Sequence, residues 1–225
     1  MMLKLYGFSK VNAYARGHTR DLRVLWALEE MQLPFELVGI DHPAHDLNTE
    51  AYRRLSPFEQ IPAIDDEGLV LSESAAIVVY LAKKTGRLIP GDHAGEAQVI
   101  RWCFTAMNSV EPPLLSLMVH DWTADGSCSK PRDFLVGWVN RVLTNLERWF
   151  ADRDFVATKD FTVADVPDGA RAALGHQGRG IDHAVSASRV VSRSVPGPTR
   201  VEAHHRGVRR TSRGGIDRQS RPRAR

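Results

Sequence analysis

Long apolar runs are missing from this chain. None approaches the ~18 residues that a membrane-crossing helix needs, so no membrane association is expected. Cysteine is scarce. Cys103 and Cys128 form neither a CxxC pair nor a metal-ligand spacing, which fits a cytoplasmic compartment, excludes a zinc or dithiol motif and leaves a disulfide between them open. No cleavable apolar segment precedes the strand-like pattern of MMLKLYGF. Residues 166–225 lack Lys, Phe, Tyr, Trp, Met, Asn and Cys, and Leu174 is their only leucine. Such a composition cannot bury enough apolar surface to offset chain entropy, so disorder is expected there.

The basic balance belongs to that tail. It holds thirteen Arg against Asp168, Asp182, Glu202 and Asp217, a local charge of +9, while the first 165 residues carry −6 within a total of +3. An Arg-rich arm is one reading, with at most weak, sequence-blind nucleic-acid binding. A shifted reading frame in a G+C-rich gene is the other. The residues FTVADV favour it: Thr162 caps a helix, Asp165 completes the capping box and Phe161 with Val166 forms a staple, yet Pro167 stops that helix after one turn. The composition changes at the same point.

What is present reads as two units. Leu3 and Leu5 alternate with Lys4 and Tyr6 in a strand that Gly7 helps to end. After a long polar loop, a helix runs from about Arg20 to Gln32 with Leu22, Leu25, Trp26 and Glu29 on one face, and Pro34 ends it. FELVGID is the next strand, so the pair predicts a parallel βαβ unit. Residues 61–64 and 69–71 form a hairpin across Asp65–Gly68, and a helix follows from Ser72-Glu73-Ser74 to Gly86. The order βαβ–ββα predicts an α+β, thioredoxin-like domain over residues 1–88. Residues 87–94 make a Pro- and Gly-containing linker. Residues 93–165 show helical periodicity alone, broken or kinked at Glu111-Pro112-Pro113, with a second long helix from about Pro131 to Ala151. They predict an all-α, incomplete second domain in which Leu135, Trp138 and Leu146 are partly uncovered.

The stretch Leu55–Ile77 carries the clearest chemistry. An X-Pro bond at Ile61–Pro62 costs little in the cis form, which would turn the Ile61 N–H and C=O outward to pair with a peptide-like ligand. Beside them lies a helix N-terminus whose hydroxyls, Ser72 or Ser74, could cap it, and which offers a carboxylate a seat. A peptide edge beside an anion seat describes a small acidic peptide. Read singly, Pro62 is a turn residue and the serines are caps; together they favour a site.

RDLRVLWALEEMQLPFELV, SPFEQIPAIDDEGLVLSESAAIVVYLA and FTVADV together resemble the glutathione S-transferase family, over about three-quarters of the chain. The resemblance implies glutathione as co-substrate with no resident cofactor, a helical domain that walls the pocket of a hydrophobic electrophile, a homodimer, and a role in detoxification. It implies that Ile61, beside Pro62, pairs its main chain with the cysteinyl unit, that Ser74 takes the γ-glutamyl carboxylate, that Glu73 takes the ammonium and that Gln60 adds a polar contact.

The thiolate-stabilising hydroxyl is ambiguous, because the loop after the first strand is about ten residues longer than the family pattern. Ser9, directly after the strand, and Thr19, at the helix entry, are the alternatives; Tyr6 reads as packing and Tyr14 as a further hydroxyl. With no Cys before Cys103, mixed-disulfide chemistry is disfavoured. Other activities on the same site are isomerisation or dehalogenation, or a binding module without turnover. His42, His45 and Asp46 lack a third ordered ligand and read as loop surface, so no metal is expected.

Overall fold

A computed structural model of the chain describes residues 2–12, 15, 17, 19–123 and 130–166. Pro167, the Arg-rich tail, Tyr14 and Cys128 lie outside these residues.

Four strands form one sheet in the order β2-β1-β3-β4, with β1 Leu3–Lys10, β2 Phe35–Asp41, β3 Ala63–Asp66 and β4 Leu69–Ser72. β1 runs parallel to β2 and antiparallel to β3, and β3–β4 is an antiparallel hairpin. α1 (Asp21–Glu30) and α3 (Ser74–Thr85) contribute to one core cluster with Leu3, Leu5 and Ile64. Tyr6, Phe8, Ile40 and Ile61 gather in a second cluster around Tyr52 of the short α2, Glu50–Arg53. The alternation of β1 residues between these clusters follows from the two-residue repeat of a strand. This is the expected thioredoxin-like α+β arrangement, followed, among the described residues, by helices without strands.

Several expectations need correction. Gly7 does not end β1, which continues to Lys10 with a register shift after Phe8, so Ser9 lies in the strand and not in a loop. The hairpin turn is two residues: Glu67 and Gly68 both take positive φ, and the Gly68 amide donates to Asp65 Oδ1 at 2.9 Å. The strands reach the turn at Asp66 and Leu69. Pairing starts at Ala63, two residues later than expected, just after Pro62, which has no N–H for the ladder. On α1 the buried stripe is Val24, Leu25, Ala27 and Leu28, and Glu29 is exposed. α2 has too few residues for its periodicity to be read; Thr49 caps it by accepting the Tyr52 amide.

The proline pair does not break its helix. α4 (His93–Thr105) passes through a π-helical turn, Ala106–Val110, into α5 (Glu111–Thr123). Pro112 and Pro113 fall in the first turn of α5, where a missing N–H costs little. α6 spans Lys130–Trp149 and buries Val139, Leu143 and Leu146. Leu146 is thus covered, while Leu135 and Trp138 are half-buried and Trp138 lies beside the exposed Phe134.

The main cluster does not stop at the linker. It runs from Leu3 and Leu5 through Val99, Trp102, Leu117 and Leu143 to Val163 and Val166. At its far end the Thr162–Asp165 capping box is formed around a 3-10 turn, Val163–Asp165, and the Val163 amide donates to the Leu88 carbonyl at 2.9 Å.

Candidate functional site

The segment before β3 is held by its own polar groups. The Ser56 hydroxyl accepts the Gln60 amide at 3.1 Å, and the Tyr52 hydroxyl donates to the Gln60 carbonyl at 3.1 Å. Burial first, then the nearby Asp21 and Tyr6, pushes the Tyr52 phenol well above its ordinary value, so it stays a donor. Gln60 is thereby fixed on its main chain, and its side chain is left to point elsewhere. The Ile61–Pro62 bond is cis. Ile61 buries its side chain against Ile40 and Tyr52, and neither its N–H nor its C=O bonds another described residue.

Glu73 occupies the N-cap position of α3 at φ 73° and ψ 110°, and it is exposed. A non-glycine residue held there costs about 1–3 kcal/mol, a cost that clusters at ligand sites. No side chain caps this helix, so the expectation of a capping serine fails. Ser72 ends β4. The Ser74 hydroxyl is turned instead toward α1, where it accepts from Arg23 Nη1 at 3.3 Å. The orphan amides of α3 stay available to an anion.

Two arginines at the start of α1, Arg20 at its N-cap and Arg23 in its first turn, dominate the corner. Arg20 and Arg23 stand one turn apart and share a helix face. Arg20 reaches Glu111 Oε1 through Nε and Nη2, each at 2.8 Å, and Gln60 Oε1 through Nη1 at 3.3 Å. Arg23 Nη2 lies 3.1 Å from Glu111 Oε2, and its Nη1 also approaches Met107 Sδ at 3.5 Å. Ile61, Pro62, Glu73, Ser74 and Gln60 are the residues expected from sequence. Arg20, Arg23 and Glu111 were not expected. Their partners lie 88 and 91 residues apart, and no local pattern announces them; two arginines at i, i+3 beside the apolar stripe were the one signal available.

The candidate hydroxyls differ in setting. Ser9 is exposed on β1 and sits over Gly39: a Cβ at position 39 would come within 2.7 Å of Ser9 Cβ. Tyr6 packs in the second cluster, and its phenol is raised mainly by burial. Thr19 does not cap α1, because Arg20 holds that position and the Thr19 carbonyl accepts the Leu22 amide at 3.3 Å. The Thr19 hydroxyl is shielded from solvent and has no partner among the described residues. An unmet buried polar atom needs an explanation, and a ligand atom is one.

The remaining candidates are structural. His42 meets Phe8 edge-on at 5.6 Å, and Asp46 Oδ2 accepts the Asp41 amide. Among the described residues no three His, Cys, Asp or Glu are grouped to hold a metal. Trp102 and Cys103 are buried in the core, whereas Met107 is half-buried in the π turn against Arg23. No described helix is long and apolar enough to cross a membrane.

Residues 22–84 match the family model described as "Glutathione S-transferase, N-terminal domain". Glutathione S-transferase hmp2 of Hypomyces subiculosus is 37% identical over 108 residues, covering 46% of this chain and 47% of its own. A glutathione S-transferase of Hyoscyamus muticus is 29% identical over 161 residues, covering 64% of this chain and 72% of its own. The chain thus spans about half of the first relative and under three-quarters of the second. Among solved structures, a glutathione transferase from Burkholderia graminis with two glutathione molecules bound per subunit superimposes with a TM-score of 0.76. It is 29% identical and covers 89% of this chain and 87% of its own.

Proposed function

Starting from the match of residues 22–84 to the glutathione S-transferase N-terminal family model, we propose that this chain is a glutathione transferase that joins the glutathione sulfur to an electrophilic, largely apolar small molecule. The observation that carries this reading is the meeting, at one corner, of a free main-chain pair at Ile61, the uncapped N-terminus of α3 and the Ser74 hydroxyl.

Glutathione matches that corner group for group. The Ile61 N–H and C=O pair with the cysteinyl backbone beside Pro62. Ser74 and the first amides of α3 take the γ-glutamyl carboxylate, and Glu73 takes the ammonium across its strained backbone. Gln60 donates from its side-chain amide. Charge-assisted bonds to both poles of a zwitterion are the strong ones.

The Thr19 hydroxyl serves the sulfur. It donates to the thiolate, which is further favoured by the positive end of α1, so the thiol proton is released to solvent and the thiolate persists near neutral pH. The sulfur then attacks the electrophilic carbon. A C–S bond forms as the leaving group departs with its electron pair. Ser9 is the lesser alternative, because its side chain is spent covering Gly39. The acceptor lies against the π turn and α5, where Met107 offers an adaptable apolar wall. No resident cofactor or metal takes part, glutathione being a consumed co-substrate. The protein works in the cytoplasm as a homodimer and serves detoxification.

Calorimetric titration of the full chain with glutathione, followed by turnover of a chlorodinitrobenzene acceptor, tests the reading. Saturable binding with release of chloride and the thioether product supports it. Absence of glutathione binding overturns it, and binding without turnover by any electrophile leaves a binding module in its place.

A further inference from the structure

The side chains of Gln60 and Ser74 are not independent. A continuous chain of polar contacts joins them, running from Gln60 Oε1 to Arg20 Nη1, from Arg20 to Glu111 Oε1, from Glu111 Oε2 to Arg23 Nη2 and from Arg23 Nη1 to Ser74 Oγ. Its middle member is on α5, outside the sheet and its helices. Resting on the functional reading above, we propose that Glu111 is a positioning residue: it touches no ligand, but it sets both glutathione-facing side chains at once and makes them act as a unit.

Four features carry this. Glu111 uses both carboxylate oxygens, one for each arginine, so its two branches cannot be adjusted separately. Arg23 is 13% exposed and Glu111 22% exposed, so this part of the chain is well shielded from water and its bonds keep much of their strength. The backbone under Glu111 is stiff, since Pro112 and Pro113 have fixed φ in the next two positions of the helix. Finally, the chain dictates hydroxyl polarity. Ser74 Oγ accepts from Arg23, so its own O–H is left to donate, which is the sense a ligand carboxylate requires. Likewise Arg20 takes the Gln60 carbonyl oxygen and leaves its NH₂ facing away as a donor.

A coupled pair gives a signature that stability alone does not. Glutathione dissociation constants are measured for the full chain carrying Gln60→Ala, Ser74→Ala and both, in the native background and with Glu111→Gln. Residues joined through one network lose binding non-additively. In the native background the double variant should weaken binding at least about fivefold less than the product of the single losses. With Glu111→Gln the two losses should multiply to within about twofold. Glu111→Gln alone should raise the glutathione constant about tenfold while leaving the KM of the acceptor within about twofold.

Arg20→Gln is the second variant. It cuts only the Gln60 branch on a half-exposed side chain, so it should abolish the coupling even if Glu111→Gln folds poorly. Independent losses in the native background overturn the inference. So does coupling that survives both variants. If the native chain binds glutathione and the coupling is absent, the positioning role alone fails; if it binds none, the functional reading fails and the inference with it.

Discussion

The amide of Phe8 donates to Asp21 Oδ2 at 2.8 Å, tying the outer part of β1 to the first turn of α1. Asp21 is fully buried, and its other oxygen has no partner among the described residues. Asp21→Ala strands the Phe8 amide and should lower unfolding free energy by about 2–3 kcal/mol in urea denaturation at neutral pH. Asp21→Asn keeps an acceptor and should lose less than half of that. Gly7→Ala should act in the same place: its Cβ would meet Asp21 Oδ2 at 2.9 Å and Leu37 Cδ1 at 3.3 Å, so a cost of about 1–3 kcal/mol is expected.

Thr19→Val removes a hydroxyl while keeping shape. It should lower kcat/KM about a hundredfold, the cost of one well-placed donor, and should raise the pH at which bound glutathione shows thiolate absorbance. Ser9→Ala should stay within about twofold. The reverse ranking would move the catalytic role to Ser9.

What the sequence disclosed and what it concealed divide by distance along the chain. FELVGID was bounded correctly as a strand because its residue types and flanking Pro34 are local signals. The capping box at Thr162 and Asp165 was equally local, and it forms. The contact of the Ser74 hydroxyl with Arg23 was concealed, because nothing near Ser74 in sequence points to a partner 51 positions earlier. Glu111 was read as part of a helix kink or break because Pro-Pro is a strong local signal; the chain instead passes through the π turn Ala106–Val110 and stays helical from Glu111. Tertiary ion pairs leave no periodicity to detect.

Asp66 provides a pH test away from the site. Burial works to raise its carboxyl, but bonds from Lys84 Nζ and the Tyr80 hydroxyl, both at 2.6 Å, outweigh it and hold it below the usual value. A lowered carboxylate contributes stability above its unfolded value, near ~4, and loses it as pH falls through the lower folded value. Lys84 is raised mainly by the same bond, so its contribution is present below its unfolded value of ~10.4 and fades as pH rises through the folded one. Asp66→Asn should flatten both limbs of a Tm-against-pH curve. An unchanged acid limb would show that this cluster is not what titrates.

Cys103 should be silent. Burial, and then the charge of Asp165, pushes its thiol up to about 12. Iodoacetamide near pH 8 should leave the Cys103 peptide unmodified in the native chain and label it fully in urea, as read by peptide mass spectrometry. Labelling of the native chain at the rate of a free thiol would contradict the buried placement.

Asp165 holds three groups at once: the Thr162 amide at 2.9 Å, the Thr162 hydroxyl at 3.1 Å and the Val156 amide at 2.8 Å. Asp165→Ala should cost about 3 kcal/mol, more than an exposed cap, because two buried amides lose their acceptor. Thermal melts of the variant against Thr162→Ala, which loses less, would rank the two.

The bond from the Val163 amide to the Leu88 carbonyl, together with the packing of Phe161 on Trp26 at 5.7 Å, has a consequence for biosynthesis. Both contacts join residues more than seventy positions apart. While the chain is being made, the sheet and its helices leave the ribosome first, and these contacts form only when residues 161–163 emerge. A nascent chain halted after α3 and before residue 161 therefore leaves the Trp26 ring and the Leu88 carbonyl without these two contacts.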